Sequence, residues 1–295
     1  MSMNFAELQA FAAVHEQGSV SGAAEQLHIT QPAVTRRVQA LEQSLGAALF
    51  DRSGNRLRLT EAGEVLLPRA QALLTAREDA ERAVADLQDQ VGGRLRLATS
   101  HHIGLHRLAP VLRAFSRRYP DVALDLRFED SEAAHDLVLQ RTCDLAVVTL
   151  DPAAPAAEDD RFAYEPVWHD PLVFVCGQEH ALAEVSEPGL SKVADHAAVI
   201  PGLATYTGRI VADLFAREHL QLRQAMSTNY LETIGMLVGI GLGWSVLPET
   251  MVDDALVRLN VPGVQLSREL GAVRLPARTP SRATGAFMET LRQFA

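Results

Sequence analysis

Cysteine, lysine and long hydrophobic runs are scarce or absent in this sequence. Its two cysteines, Cys143 and Cys176, are too few for the disulfide framework of a small secreted domain. No uncharged apolar run reaches about 18 residues, and the N-terminus lacks the basic-then-apolar order of a secretion signal. We therefore expect a soluble protein that stays in the cytoplasm, has no membrane partner and forms at least two domains over its 295 residues.

The segment from Ser19 to Thr60 has the spacing of two short helices, a turn and a basic hairpin. Ser19 is a favourable N-cap, and the small Ala23 and Ala24 allow a second helix to approach closely. Pro32 marks the first turn of that second helix. Apolar residues then recur every three or four positions and predict one buried face. They are Val34, Val38, Leu41 and Leu45.

The opposite face of the second helix carries the residues that we predict to contact DNA. They are Gln31, Pro32, Ala33, Thr35, Arg36 and Arg37. Amides, hydroxyls and guanidinium groups near a helix N-terminus can reach base edges and phosphates in a major groove. The hairpin adds Arg52 and Arg56 around Gly54 and Asn55, which tolerate the backbone angles of a tight turn. Together they predict a winged helix-turn-helix whose wing contacts the DNA backbone.

The charge of the chain limits how it could bind DNA. The net charge is −10, and residues 1–93 contain 8 arginines and 12 acidic residues, which gives 8 − 12 = −4. A protein that binds DNA by general electrostatic attraction is basic. We therefore predict site-specific, salt-sensitive binding through a few well-placed arginines.

A long helix is predicted over residues 61–92. Its apolar positions alternate in steps of four and three, a heptad pattern that predicts a partner helix and hence a dimer. The alternative is packing against its own domain. The positions are Leu66, Ala70, Leu73, Arg77, Ala80, Val84, Leu87 and Val91.

Beyond Gly92 and Gly93, predicted strands and helices alternate, which is typical of parallel βαβ units. Strands are predicted at 94–99, 123–128, 145–150, 172–176, 197–200 and 242–247. Helices are predicted at 105–118, 131–141, 209–218, 230–238 and 283–294. The fold class is therefore α/β with an N-terminal all-α winged helix-turn-helix. Two α/β lobes with a cleft between them are expected in the second half.

Polar residues follow several of these strands, where ligands bind in α/β folds. We predict that they bind a small-molecule effector, and hydroxyl groups at helix starts favour an anionic one. Glu129 and Asp130 would oppose an anion, and they could instead cap a helix or bind the amine of a zwitterion. The candidate effector-binding residues are Thr99, Ser100, His101, His102, Thr149, Pro201, Thr205, Tyr206, Thr207, Asn229 and Tyr230.

The N-terminal segment closely resembles the DNA-binding domain of LysR-type transcriptional regulators. The matching residues include the Thr30–Arg36 run, Leu41-Glu42, Leu45-Gly46, Leu49-Phe50 and Leu59–Gly63. Looser matches follow in the second half, at Tyr119-Pro120-Asp121-Val122, Asp144–Val147, His180–Ala183, Gly239–Gly243 and Leu247-Pro248. That half is similar to the family's two-lobed, solute-binding-protein-like effector domain.

The resemblance implies a transcriptional regulator rather than an enzyme. Three domains are expected: a winged helix-turn-helix at 1–60, a dimerising linker helix at 61–92, and an effector domain at 93–295. Lobe I would comprise about 93–161 and 268–295, and lobe II about 162–267. The implied partners are double-stranded DNA, a small effector that the family places near Thr99 and Ser100, further copies of the chain in a dimer or tetramer, and RNA polymerase. No cofactor is expected.

Alternative functions would depend on other residues. His102 and His106 are four apart and could share a metal ion with His101 adjacent, and Cys143 and Cys176 could form a redox pair. No nucleophile elbow, P-loop, HExxH motif or dinucleotide fingerprint supports an enzyme. A solute-binding protein would use the cleft alone, and a constitutive architectural DNA protein would need little beyond residue 93. The effector, the target genes and the sign of regulation stay open at this point.

Overall fold

A computed structural model of the chain describes residues 3–51, 57–85, 91–153, 161–276 and 278–295. The chain forms an N-terminal unit, Met1–Asp89, and a C-terminal unit, Gln90–Leu139 with Cys143–Ala295. Within the described ranges, no helix has both the length and the apolar character needed to span a bilayer.

The N-terminal unit is a helical domain with a short two-stranded ladder. Its elements are α1 (Phe5–Gln17), α2 (Val20–Gln26), α3 (Gln31–Leu45), β1 (Phe50–Asp51), β2 (Arg58–Leu59) and α4 (Glu61–Ala85). Ser19 caps α2, as predicted, because its Oγ accepts a hydrogen bond of 3.1 Å from the backbone N–H of Gly22. His28 lies in the turn between α2 and α3 and has a positive φ of 52°. This backbone conformation ends α2.

The core of this unit forms where α1, α2 and α3 meet. Val34, Val38 and Leu41 of α3 are buried there, as the spacing predicts, and so are Ala23 and Ala24 of α2. One predicted core position is wrong. Leu45 is 44% exposed, since it lies in the last turn of its helix.

Helix α4 packs partly on its own unit and partly leaves apolar residues exposed. Ala70 is buried in the core, with Leu66, Leu67 and Leu74 packed against that core. Leu73 is 42% exposed and Val84 69% exposed on the same helix. Val91 lies outside any described helix, and Leu87 lies outside the described residues. Packing against its own domain therefore holds for part of the helix, and the partner helix stays a prediction for the exposed positions.

The C-terminal unit is built on a nine-stranded sheet in the order β4-β3-β5-β11-β6-β9-β7-β8, with β10 paired to β6. The strands are β3 (Gly93–Thr99), β4 (Val122–Phe128), β5 (Leu145–Thr149), β6 (Ala163–Gly177), β7 (Ala198–Ile200), β8 (Gln224–Ser227), β9 (Trp244–Pro248), β10 (Leu256–Leu259) and β11 (Leu266–Arg274). The helices are α5 (His101–Ile103), α6 (Ala109–Arg118), α7 (Ser131–Leu139), α8 (Leu190–Ala194), α9 (Tyr206–Arg217), α10 (Leu231–Gly239) and α11 (Arg282–Arg292). A π-helical turn, Gly104–Leu108, joins α5 to α6.

Two of these strands correct the expected all-parallel βαβ arrangement. β6 and β11 pair antiparallel along their length, and together they run from the β3-β4-β5 end of the sheet to the β7-β8-β9 end. The sequence patterns predict only the end of β6 and no part of β11. Gly271 lies at a register shift in this pairing, where a Cβ atom would approach the Glu165 carbonyl oxygen to 2.2 Å.

Helices cover both faces of each end of the sheet, so the unit has two lobes. In lobe I, one core lies against α6 and α11 and another against α7. In lobe II, α9 covers one face and α10 the other. The predicted return of the C-terminal helix to lobe I agrees with the packing of Phe287 and Leu291 in the first of these cores.

The helical run that begins lobe I starts earlier than its apolar pattern indicates. The sequence predicts a helix over residues 105–118. In the structure the helical turns begin at His101 and continue through the π-helical turn into α6. Gly104 permits this start because a Cβ atom there would lie 2.5 Å from the Phe128 ring. Ser100 occupies the N-cap position of the run, and its side chain makes no capping hydrogen bond.

Candidate functional site

The N-terminal turns of α3 present the predicted DNA-contacting side chains. Gln31, Pro32 and Arg36 are exposed, while Ala33, Thr35 and Arg37 are partly buried beside them. The Gln31 amide donates to Ser21 Oγ (3.1 Å), and Arg36 Nε donates to the Pro32 carbonyl (3.3 Å). These contacts leave both Nη groups of Arg36 available for a phosphate or a guanine edge.

The ladder that follows α3 fixes where the predicted wing starts and ends. β1 and β2 pair antiparallel, with Phe50 opposite Leu59 and Asp51 opposite Arg58. Glu42 joins this ladder to α3, because its Oε1 accepts from the backbone N–H of Leu49 at 2.9 Å. Arg52 and Arg56 lie outside the described residues, so their role in DNA contact stays a prediction.

A cavity of about 200 Å³ lies between the lobes of the C-terminal unit. Ten of the eleven predicted effector-binding residues line it. They are Ser100, His101, His102, Thr149, Pro201, Thr205, Tyr206, Thr207, Asn229 and Tyr230. Thr99 is the exception: it is buried, does not line the cavity, and donates its hydroxyl proton to the Val147 carbonyl (2.8 Å).

Four helix N-termini converge on this cavity. Residues that line it lie at the starts of α5, α7, α9 and α10. Unpaired backbone N–H groups and the helix dipole make such ends favourable for an anion. The hydroxyl of Ser100, at the start of α5, makes no hydrogen bond to any described residue, whereas Thr205 Oγ1 accepts from the Gly208 N–H (3.1 Å). Ser100 therefore has a hydroxyl group free for a ligand.

An arginine that the sequence analysis missed gives the cavity a buried positive charge. Arg268 on β11 lines the cavity and lies opposite Asp170 of β6 in the strand register. Its Nε donates to Asp170 Oδ2 (2.8 Å) and its Nη1 to Thr207 Oγ1 (2.9 Å), while Nη2 is buried without a hydrogen-bond partner. Arg107 donates to the other Asp170 oxygen at 3.1 Å. These three side chains carry a net charge of +1, and the charge of the Glu232 carboxylate also acts on Arg268.

The acidic residues of the cavity are mostly bound to donors from the opposite lobe. Asn229 Nδ2 donates to Asp130 Oδ2 (2.5 Å), and the backbone N–H of Tyr206 donates to Glu132 Oε1. Glu129 is exposed, and its carboxylate makes no hydrogen bond within the described part of the chain. Positive charge therefore lies at the buried end of the cavity, and free negative charge lies at an exposed part of its lining.

His102 and His106 meet a carboxylate that the sequence analysis missed. Glu232 Oε1, on the first turn of α10, lies 3.2 Å from His102 Nδ1 and 3.1 Å from His106 Nε2. Burial, reinforced by the positive charge of Arg268, lowers the pKa of His102 to about 4. His102 is therefore neutral near pH 7. No local motif could have linked Glu232 to these histidines, which lie more than 120 residues earlier in the chain.

The two cysteines lie in separate cores. Cys143 packs in lobe I beside α7, and Cys176 packs in lobe II against the α9 face of the sheet. Burial raises the pKa of both thiols to about 11. Because the thiolate is the reactive form, these positions favour inert thiols over a redox pair.

We expect neither cysteine of the native protein to react with iodoacetamide at pH 8. A pKa of about 11 leaves on the order of one thiol in a thousand ionised at that pH, and the surrounding core blocks access. Mass spectrometry of the native and guanidinium-unfolded protein measures the outcome, with two added groups expected only after unfolding. Rapid labelling of either native thiol would contradict this and restore the redox alternative.

The fold and these sites define a class: a helix-turn-helix unit joined to a two-lobed ligand-binding unit. A family model described as "Bacterial regulatory helix-turn-helix protein, lysR family" matches residues 5–64, and one described as "LysR substrate binding domain" matches residues 88–295. The chain therefore belongs to the LysR family of DNA-binding transcriptional regulators, whose members carry an effector-binding domain.

Known proteins are similar over two thirds or more of the chain. The RuBisCO operon transcriptional regulator of Allochromatium vinosum is 28% identical, over 98% of this chain and 95% of its own. A full-length CbnR structure, complexed with its target DNA, has a TM-score of 0.70 at 22% identity and covers 99% of this chain and 100% of that one. The effector-binding domain of QuiR, in complex with shikimate, has a TM-score of 0.61 at 17% identity, over 69% of this chain and 97% of that one. At these identities the two structures show the shared fold alone.

Proposed function

We propose that this regulator binds an operator as a dimer or tetramer and changes its promoter activity when a carboxylate-bearing small molecule enters the cavity. The observation that carries the proposal is the unsatisfied Nη2 of buried Arg268, in a cavity that four helix N-termini line. A buried guanidinium N–H without a partner is costly, and a carboxylate oxygen would satisfy it. The shikimate bound to QuiR is itself such a carboxylate.

Self-association rests on α4. The exposed Leu73 and Val84, together with Val65, would be covered by the same helix of a second copy. A dimer would present two recognition helices to a two-fold related site. The CbnR structure with its target DNA supports DNA binding by a chain of this fold. Because this regulator would act on DNA, it would work in the cytoplasm. There it would also contact RNA polymerase.

A zwitterionic effector is the second candidate within the same proposal. The free Glu129 carboxylate would pair with an amine while Arg268 binds the carboxylate. An amino acid would pair with both Glu129 and Arg268, whereas a simple carboxylate would pair with Arg268 alone.

DNase footprinting of the purified protein on the intergenic region beside its own gene tests the regulator proposal. We expect a protected site with two-fold related halves whose affinity falls steeply with salt. Absence of specific protection at moderate salt would overturn DNA regulation and leave solute binding or catalysis in the cavity as the working function.

We expect Ser100→Ala to lower effector affinity at least about tenfold, because a hydrogen bond to a charged group contributes roughly 1.5–3 kcal/mol. The measurement is the rise in melting temperature with shikimate, other carboxylates and amino acids, followed by titration of any compound that stabilises the protein. Ser191→Ala, at an exposed serine of α8 that does not line the cavity, is the matched control. Full affinity in Ser100→Ala would remove this hydroxyl from the site.

A further inference from the structure

Two histidines of lobe I and one glutamate of lobe II form a compact donor cluster beside the cavity. One ring nitrogen of His102, one of His106 and a carboxylate oxygen of Glu232 all lie within 4.8 Å of one another. Each histidine nitrogen is 3.1–3.2 Å from Glu232 Oε1. We propose that His102, His106 and Glu232 bind a divalent transition metal ion of the Zn²⁺ class that fastens the two lobes together.

Two of the three distances between the donors fit a tetrahedral ion. Zinc bonds of about 2.0–2.1 Å in tetrahedral geometry place two ligand atoms about 3.3 Å apart. The two nitrogen-to-oxygen distances, 3.2 and 3.1 Å, lie close to that value. Two imidazoles and one carboxylate also suit Zn²⁺, Co²⁺ or Ni²⁺ better than Mg²⁺ or Ca²⁺, which prefer oxygen ligands.

The hydrogen bonds of the cluster leave buried polar atoms unsatisfied. Glu232 Oε2 is buried without a hydrogen-bond partner, although Oε1 of the same carboxylate faces both histidines. His102 Nε2 is likewise buried and unpartnered, on a side chain that is only 4% exposed. Most buried polar atoms in proteins are paired. A divalent ion bound at Oε1 would offset the charge of this partly buried carboxylate, which Oε2 shares.

The local backbone holds the two histidines on the same side of their helix. Gly104–Leu108 forms the π-helical turn, and the rings of His102 and His106 lie 4.6 Å apart at their centroids. Such single π turns are frequent at functional sites. The side chain of His106 is 46% exposed and that of Glu232 is 33% exposed, so an ion can enter from solvent and keep one position for water.

A bound ion would hold the two lobes close together. The histidines belong to the helical run that starts lobe I, and Glu232 lies on α10 of lobe II, so coordination requires the lobes to stay close. This site is independent of the identity of the effector. Metal binding and the footprint of the preceding section can therefore succeed or fail separately.

Titration of the full-length, EDTA-stripped protein with Co²⁺ and Zn²⁺ tests the site. We expect one ion per chain, visible Co²⁺ bands of tetrahedral intensity that Zn²⁺ abolishes, and no competition from excess Mg²⁺. His106→Ala and Glu232→Gln should each lower the affinity at least tenfold. Because both side chains are partly exposed, these variants should keep the fold, which circular dichroism verifies.

His196→Ala is the matched control. The His196 ring lies edge-on to the His180 ring, with the centroids 5.1 Å apart, and the two form a second histidine pair in the same unit. No carboxylate completes a metal cluster there among the described residues. Metal affinity should be unchanged in this variant. The proposal is overturned if the wild-type protein binds no Co²⁺ or Zn²⁺ above the level of its Glu232→Gln variant, or if His196→Ala rather than His106→Ala removes binding.

Discussion

Replacing Arg36 with alanine is expected to weaken operator binding by about 10- to 100-fold, while effector affinity changes by less than about twofold. Arg36 is exposed near the N-terminus of α3, and only its Nε is used within the protein, on the Pro32 carbonyl. A bidentate arginine contact to a guanine is worth about 1–3 kcal/mol. Loss of the side chain removes that free energy from DNA binding alone.

Arg217→Ala is the control for this variant. Arg217 is also an exposed arginine, but it lies in the last turn of α9, outside the helix-turn-helix and outside the cavity lining. Fluorescence anisotropy with the footprinted operator and with an unrelated duplex of equal length measures both variants. An equal loss on both duplexes would make Arg36 a phosphate contact, and an equal loss of effector affinity would refute separate roles for the two units.

Arg268→Met is expected to lower the free energy of unfolding by about 3–5 kcal/mol, the typical cost of removing one partner from a buried ion pair. Asp170 is fully buried, and Arg268 supplies one of its two guanidinium partners. Without Arg268 the carboxylate keeps only Arg107, whose side chain is 26% exposed. The same substitution should abolish the stabilisation by carboxylates, because the cavity loses its buried cation.

The Arg268→Met, Asp170→Asn double variant separates loss of the charge pair from loss of side-chain packing. If the pair carries the effect, the double variant should recover about 1–3 kcal/mol relative to the sum of the single changes. Arg258→Met removes an exposed arginine paired with Glu249 on the lobe II surface and should cost less than about 1 kcal/mol. Urea denaturation provides all four values. A loss in Arg268→Met no larger than that in Arg258→Met would contradict the assignment.

The helices of the N-terminal unit could be predicted because their signals are local. Ser19, Pro32 and the Val34, Val38 and Leu41 repeat act over one or two helical turns, and the structure places each of them as their spacing predicts. The polar lining of the cavity was also accessible, because residues after strands and before helices meet at one edge of a sheet. Thr99 lies one position too early in the strand, where its hydroxyl binds Val147 instead.

The crossing strands could not be predicted in the same way. β6 contains Pro166 and Pro171, and proline weakens a strand pattern because it cannot donate a ladder hydrogen bond. β11 contains Gly271 at its register shift, which also interrupts the pattern. Without these two strands, the sequence gives no reason to place Arg268 in the cavity.

The sequence by itself determined the family, the helix-turn-helix and most of the polar residues around the cavity, since these depend on short motifs and on the ends of single elements. Tertiary structure decided the charge of the site. Arg268 meets Asp170 across 98 residues, and Glu232 meets His102 across 130. Such pairs arise from strand register and lobe packing, which no local pattern encodes. The anion site and the proposed metal site depend on these long-range contacts.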